Sequence, residues 1–258
     1  MTELIGRLFG LSGVVALVTG SSAGIGRGLA EGLAGAGATV VVNGRTGDKV
    51  DAVVAAIRAT GGKAFGSVFD VTDRKAAGEA VASIEAEVGP IDVLVNNAGI
   101  QRRGPLEDYP EETWRELMTA NVDSVFFVSQ AVAKHMIPRK RGRIINIASV
   151  QSELARLNIA PYTASKGAVK MLTKGMATDW GRHGIRVNSI APGYFKTELN
   201  KALVEDEKFS AWLSNRTPMG RWGDVGELVG AAIFLASDAS SFVNGHILFV
   251  DGGITACL

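Results

Sequence analysis

Short, β-branched apolar runs alternate with longer stretches of helical periodicity along the chain, and this alternation constrains the fold more than any single motif does. The runs Val14–Thr19, Thr39–Asn43, Ala64–Phe69, Ile91–Val95, Arg143–Ala148, Ile185–Ile190 and His246–Val250 read as strands. Helical periodicity occupies Gly24–Ala36, Lys49–Thr60, Arg74–Val88, Glu111–Met136, Tyr162–His183 and Asp224–Ala236. Strands that are apolar throughout need cover on both faces, and repeated βα units supply it. The expectation is an α/β fold with a doubly wound, seven-stranded parallel sheet, helices on both faces, and a ligand beyond the carboxyl ends of the strands. No linker, repeat or low-complexity tract interrupts the pattern, so residues 1–258 read as one domain. One stretch, Pro192–Pro218, is too long for an ordinary connection, which makes residues 193–217 a candidate substrate lid.

Composition narrows the partners. With 27 basic against 26 acidic side chains and a net charge of +1, the chain shows no clustered basic face, so neither nucleic acid nor a membrane surface is expected. The lone cysteine, Cys257, excludes an intrachain disulfide and any cysteine-based metal cluster, and fits a reducing compartment. His135, His183 and His246 lack ligand spacing, so no metal is expected either. No apolar run approaches the ~18 residues of a membrane span, and a start containing Glu3 and Arg7 lacks a signal-peptide profile, which points to the cytoplasm.

The chemistry gathers at the predicted carboxyl ends. The first strand runs into Thr19-Gly20-Ser21-Ser22-Ala23-Gly24-Ile25-Gly26 and then a helix, where a dinucleotide pyrophosphate can meet unpaired helix amides. The second strand ends in Gly44-Arg45, with Arg45 placed 25 residues after Gly20, about where such folds discriminate the adenosine ribose. An acid there would bind a free 2′-hydroxyl; a glycine and a cation favour a 2′-phosphate, hence NADP(H) over NAD(H). Asp70 either takes the adenine amino group or caps the next turn, as Asp and Thr72 both favour. Asn96-Asn97-Ala98-Gly99 either lines the cleft or forms an Asx loop. The fifth strand delivers Ser149, and thirteen residues later Tyr162-Thr163-Ala164-Ser165-Lys166 opens a helix behind Pro161. At i and i+4 the Lys166 ammonium can lie near the Tyr162 phenol. Bringing a phenol from about 10 to near 7 requires about 4 kcal/mol, and that ammonium with an oxidised nicotinamide is expected to supply it.

Together, Thr19–Gly26, Asn96–Gly99, Ser149, Tyr162-x-x-x-Lys166 and Pro192-Gly193 resemble the short-chain dehydrogenase/reductase family, over essentially the whole chain to Asp251-Gly252-Gly253. The resemblance implies a Rossmann fold, a homotetramer joined partly through the two long helices, and a catalytic tetrad of Asn121, Ser149, Tyr162 and Lys166. In that scheme Ser149 holds the substrate oxygen and Tyr162 is the acid/base. Lys166 binds the nicotinamide ribose and lowers the phenol's pKa, and Asn121 holds a relay water. Asn121 as a stabiliser of a helix kink, and Ser149 as a cap, are the structural alternatives. Cofactor contacts are implied for Gly20, Ser22, Gly24, Ile25, Gly26, Arg45, Asp70, Val71, Asn97, Ala98, Gly99, Tyr162, Lys166, Pro192, Gly193 and Thr197. Many NADP-using relatives carry a basic residue where this chain has Ala23, so half of the usual phosphate clamp is missing.

The stretches Asn43–Arg45, Ile100–Arg103, Ala148–Ser152, Lys174–Trp180 and Arg216–Gly223 resemble the sugar-acid reductases of that family, which implies reversible hydride exchange between NADPH and the C5 ketone of a six-carbon sugar acid. Reduction of a 3-oxoacyl group on a carrier protein, and a nucleotide-binding regulatory subunit without activity, are the alternatives. A sugar acid needs a cation and several hydrogen-bonding groups. Ser149, Gln151 and Tyr162, with Arg102, Arg103, Arg156 and Lys196, are the candidates, the cations being equally explicable as solvated loop charges.

Overall fold

A computed structural model describes residues 2–257 of the chain. The first half runs through helix α1 (Thr2–Phe9), β1 (Val15–Val18), α2 (Gly24–Gly35), β2 (Thr39–Gly44), α3 (Gly47–Ala59), β3 (Lys63–Val68), α4 (Arg74–Glu87) and β4 (Ile91–Asn96). The second half continues with α5 (Glu111–Met118), α6 (Ser124–Arg139), β5 (Gly142–Ile147), α7 (Ala160–Trp180), β6 (Ile185–Pro192), α8 (Lys201–Val204), α9 (Glu207–Arg216), α10 (Val229–Ala236) and β7 (Ile247–Val250).

The seven strands form one parallel sheet in the order β3-β2-β1-β4-β5-β6-β7. The order reverses between β1 and β4, so the connections leaving these two strands diverge to opposite sides and open a crevice at their carboxyl ends. Period-two alternation gives each face its own core. Ala16 and Val18 of β1 and Val40 and Val42 of β2 pack with Leu29, Leu33, Ile57 and Leu235 on one side. Val15, Leu17 and Val41 pack with Val81, Val132, Met136 and Met176 on the other.

The strands and the first three expected helices fall within two residues of their expected bounds; α7 and α10 are shorter than expected, with single-turn 3-10 helices at Gly181–His183 and Val225–Leu228 filling the remainder, and three further segments differ. The stretch expected as one helix from Glu111 is interrupted by a π-helical turn at Thr119–Asp123 before continuing to Arg139. The candidate lid is itself structured, with α8 and α9 inside it, the latter started by an Asp206 cap that accepts from the amides of Lys208 and Phe209. Helix α1 lies outside every run read from the sequence. Beneath the site, a buried polar chain ties the central strands to α6 and α7. Asn96 Nδ2 donates to Ser129 Oγ (2.8 Å) and Asn146 Oδ1 (2.9 Å), Asn146 Nδ2 donates to Thr173 Oγ1 (2.9 Å), and that hydroxyl meets Ser189 Oγ (2.7 Å). Among the described residues, no helix is long and apolar enough to cross a membrane.

Candidate active site

A cavity of about 600 Å³ lies over the carboxyl ends of the central strands. Every cofactor and substrate residue expected from the sequence lines it, apart from Lys196, while Asn121 alone of the tetrad does not. Lys196 is held outside by Asp224 at 3.4 Å.

At one end is the glycine turn. Gly20 has φ +59°, and a side chain there would put Cβ 2.8 Å from Ala98 Cα. A Cβ at Gly26 would overlap Asn97 Nδ2 and the Gly20 carbonyl. Two residues not singled out individually from the sequence brace this turn. Thr19 Oγ1 accepts from the amides of Asn97 (3.0 Å) and Ala98 (3.2 Å), clamping the end of β1 to the end of β4. Asn43 Oδ1 accepts from the Gly20 amide at 3.0 Å, while its Nδ2 donates to the carbonyls of Ser67 and Phe69. The Thr-Gly pair before the glycines was the available signal for the first; a buried asparagine at the end of an apolar strand was the signal for the second. Asn97 lines the cavity, but its amide nitrogen is committed to the carbonyls of Thr19 and Gly20, both at 3.0 Å.

This end fits the anionic half of a dinucleotide. Ala23 provides no side-chain cap to α2, so the first-turn amides face the cavity without an internal acceptor. Gly44 lies against Ser22 and Val50, where a Cβ would come 3.0 Å from the Ser22 hydroxyl, and Ser22, Gly44 and Arg45 all line this end of the cavity. The Arg45 side chain is 75% exposed and only loosely paired with Asp70, at 3.7 Å. Asp70 does cap the following turn, accepting from Thr72 N (2.9 Å) and Oγ1 (2.7 Å). Burial raises its pKa, but the Thr72 bonds and the Arg45 charge outweigh this and leave the carboxyl below its usual range.

Further along are Ser149, Tyr162 and Lys166. Ser149 Oγ accepts from the Gln151 amide at 3.1 Å, capping a short helical turn at Val150–Ser152, so its alternative role as a cap is real and coexists with its place in the cavity. Lys166 Nζ donates to the Ile147 carbonyl at 2.8 Å and lies 5.7 Å from the centre of the Tyr162 ring. The expected lowering of the phenol is not what the protein alone produces. Burial pushes Tyr162 up to about 12, the Ser149 hydroxyl pulling the other way and Tyr194 adding to the rise, while burial pushes Lys166 down to about 8. The physical reason is that both groups sit in low-dielectric surroundings that penalise charge on either. At neutral pH the phenol is therefore protonated, the form required of a proton donor. Asn121 lies beneath, 1% exposed. Its Oδ1 accepts from Ile100 N (2.7 Å), and its Nδ2 donates to Ile100 O (3.0 Å) and Ser165 Oγ (3.1 Å). Both amide hydrogens are thus committed to joining the π-helical turn to the loop after β4 and to α7.

The third region is polar and basic. Arg102 is paired with Glu116 at 2.7 Å, whereas Arg103 and Arg156 are close enough that burial and then the Arg156 charge depress the Arg103 pKa. Arg156 lies over the Phe209 ring of α9 at 5.1 Å, with its Nε buried and without a hydrogen-bond partner among the described residues. Near both cations stands Tyr194, missed in the sequence, walled by Phe209, Trp212 and Trp222 at 5.7, 6.4 and 5.9 Å. Burial raises its pKa, while Arg156 and Arg103 lower it.

A parallel sheet with a glycine turn at its switch point and a Ser-Tyr-Lys set at the neighbouring strand ends defines a nicotinamide-dinucleotide-dependent oxidoreductase. The chain belongs to the short-chain dehydrogenase/reductase family: residues 20–255 match the family described as Enoyl-(Acyl carrier protein) reductase. It is 64% identical over 251 residues to a gluconate 5-dehydrogenase of Gluconobacter oxydans (strain 621H), covering 97% of this chain and 98% of that protein. It is 56% identical to a 5-keto-D-gluconate 5-reductase of Escherichia coli (strain K12), covering 96% and 97% of the two chains. Among solved structures, a gluconate 5-dehydrogenase from Burkholderia cenocepacia J2315 in complex with NADP and tartrate superposes with a TM-score of 0.96 at 58% identity, covering 98% of this chain and 99% of that one.

Proposed function

We propose that the protein interconverts D-gluconate and 5-keto-D-gluconate with NADP(H) as cofactor. The observation that carries this reading is the Arg103–Arg156 pair in the same cavity as Ser149 and Tyr162, in a chain 64% identical to a gluconate 5-dehydrogenase. Two neighbouring guanidinium groups, neither ion-paired to a carboxylate among the described residues, match the carboxylate of a sugar acid. They would gain nothing from a neutral acyl thioester, and the exposed Arg102 is already neutralised by Glu116.

In the reductive direction the Ser149 hydroxyl holds the C5 carbonyl oxygen, and the Tyr162 phenol, protonated at neutral pH, gives that oxygen its proton. When bound, the nicotinamide supplies the hydride. Lys166 holds the cofactor ribose and keeps a positive charge behind the phenol as it becomes phenolate. Asn121 acts through others: it fixes Ile100 and Ser165, and with them the loop and helix that carry the site. Ser22, Gly44 and Arg45 hold the 2′-phosphate, and α2 with its glycine turn holds the pyrophosphate.

The protein works in the cytoplasm as a homotetramer, with a small sugar acid as its partner. Trp114, Phe126 and Met171 support the assembly: they lie on α5, α6 and α7 and are 39%, 39% and 61% exposed in the single chain. Following NADPH absorbance with 5-keto-D-gluconate, simple ketoses and acyl thioesters tests the reading; preference for an acyl thioester over the keto acid refutes it.

A further inference from the structure

Three buried polar atoms in the substrate region have no hydrogen-bond partner among the described residues: Gln101 Oε1, Gln151 Oε1 and Arg156 Nε. All three residues line the cavity with Ser149 and Tyr162. Gln151 is 6% exposed. Its backbone amide donates to Ser149 Oγ at 3.1 Å and its Nε2 to Tyr194 Oη at 3.5 Å, and the Tyr194 ring packs against Phe209 and Trp212 of the lid and against Trp222. The amide nitrogen thus faces the Tyr194 hydroxyl, and Oε1 has no donor where it stands.

Arg156 Nε is a donor and suits a carboxylate. The two glutamine oxygens are acceptors, and a carboxylate cannot satisfy them because it too only accepts. What satisfies a buried carbonyl acceptor is an O–H or N–H. A substrate without such donors leaves both oxygens unpaired in a desolvated site, and sites built to hydrogen-bond a substrate hydroxyl reject analogues lacking it by up to ~10⁴-fold or more.

We propose that Gln101 and Gln151 are specificity-determining residues that accept hydrogen bonds from substrate hydroxyls near the reacting carbon, so that the enzyme selects a polyhydroxylated keto acid over a deoxygenated one of the same length and charge. Tyr194 is the positioning residue that holds the Gln151 amide. This rests on the proposed reaction, and it divides the work of the pocket: arginines read the charge, glutamines read the hydroxyl pattern.

The test compares kcat/KM for 5-keto-D-gluconate with that for 5-oxohexanoate, which keeps the carboxylate and the C5 ketone and has no hydroxyls. The intact enzyme should favour the former by at least ~10³-fold, below the bound set for hydroxyl-reading sites. Gln151→Met and Gln101→Met should each shrink that ratio at least tenfold through loss on the hydroxylated substrate, whereas Arg156→Ala should lower both substrates in parallel. A ratio near one in the intact enzyme, or a ratio unchanged within twofold in both glutamine variants, overturns the proposal. The intact-enzyme comparison requires no variant to fold. An intact enzyme that ignores 5-keto-D-gluconate instead defeats the underlying reaction, a result distinct from one in which it turns over that substrate with an unmoved ratio.

Discussion

Lys166 should be a residue whose removal abolishes activity and stabilises the protein, because the fold holds its ammonium at a cost. It is 6% exposed, has one hydrogen bond, to the Ile147 carbonyl, and burial lowers its pKa from 10.5 to about 8. At 1.36 kcal/mol per unit that shift corresponds to roughly 3 kcal/mol of unfavourable charge burial near neutral pH. Lys166→Met keeps the volume and removes the charge. It forfeits one hydrogen bond worth about 1 kcal/mol net, and water entering from the cavity can serve the freed carbonyl. The expected gain is about 1–2 kcal/mol, or about 3–6 °C in Tm for a chain of this size. The pH dependence separates this cause from better packing. The folded-state pKa lies below the unfolded one, so between about 8 and 10.5 the unfolded chain binds more protons and the stability of the unsubstituted protein rises with pH. The advantage of the variant should therefore be largest at pH 7 and vanish toward pH 10.5. Thermal unfolding followed by circular dichroism from pH 6.5 to 10.5, without cofactor, measures it. A Tm that falls at pH 7, or a difference that ignores pH, refutes the reasoning.

Other outcomes follow from the same geometry. Tyr162→Phe should retain NADPH binding, read by fluorescence titration, and lose at least ~10²-fold in turnover, because it keeps the ring and deletes the proton; near-normal turnover would remove Tyr162 from the acid/base role. Arg45→Ala should weaken NADPH and spare NADH, with the NADPH loss shrinking as salt rises, since the guanidinium is exposed and only loosely paired; equal losses would assign Arg45 to loop support. Arg103→Ala or Arg156→Ala should raise KM for 5-keto-D-gluconate more than for an uncharged ketose, and Arg102→Ala should do so far less because Glu116 already neutralises it. Identical effects from all three would dissolve the carboxylate site.

The sheet, its flanking helices and the placing of Ser149, Tyr162 and Lys166 at one sheet edge were legible in the sequence because each is written in local periodicity or short spacing. Val40 and Val42 against Val41 announce two cores before any contact is known, and four residues from Tyr162 to Lys166 place both on one helical face. Tertiary structure decided what depends on neighbours remote in the chain. Asn121 was legible as a member of a motif, yet its amide serves Ile100 and Ser165, contacts 21 and 44 residues away that no spacing rule encodes. The three arginines looked equivalent along the chain; Glu116 singles out Arg102, and proximity across loops pairs Arg103 with Arg156. Tyr194 became visible only when α9 folded its aromatic side chains around it. The phenol's pKa is decided in the same way: the expected lowering drew on the ammonium at i+4 together with an oxidised nicotinamide, whereas in the protein alone desolvation, a property of everything packed around the ring, raises it.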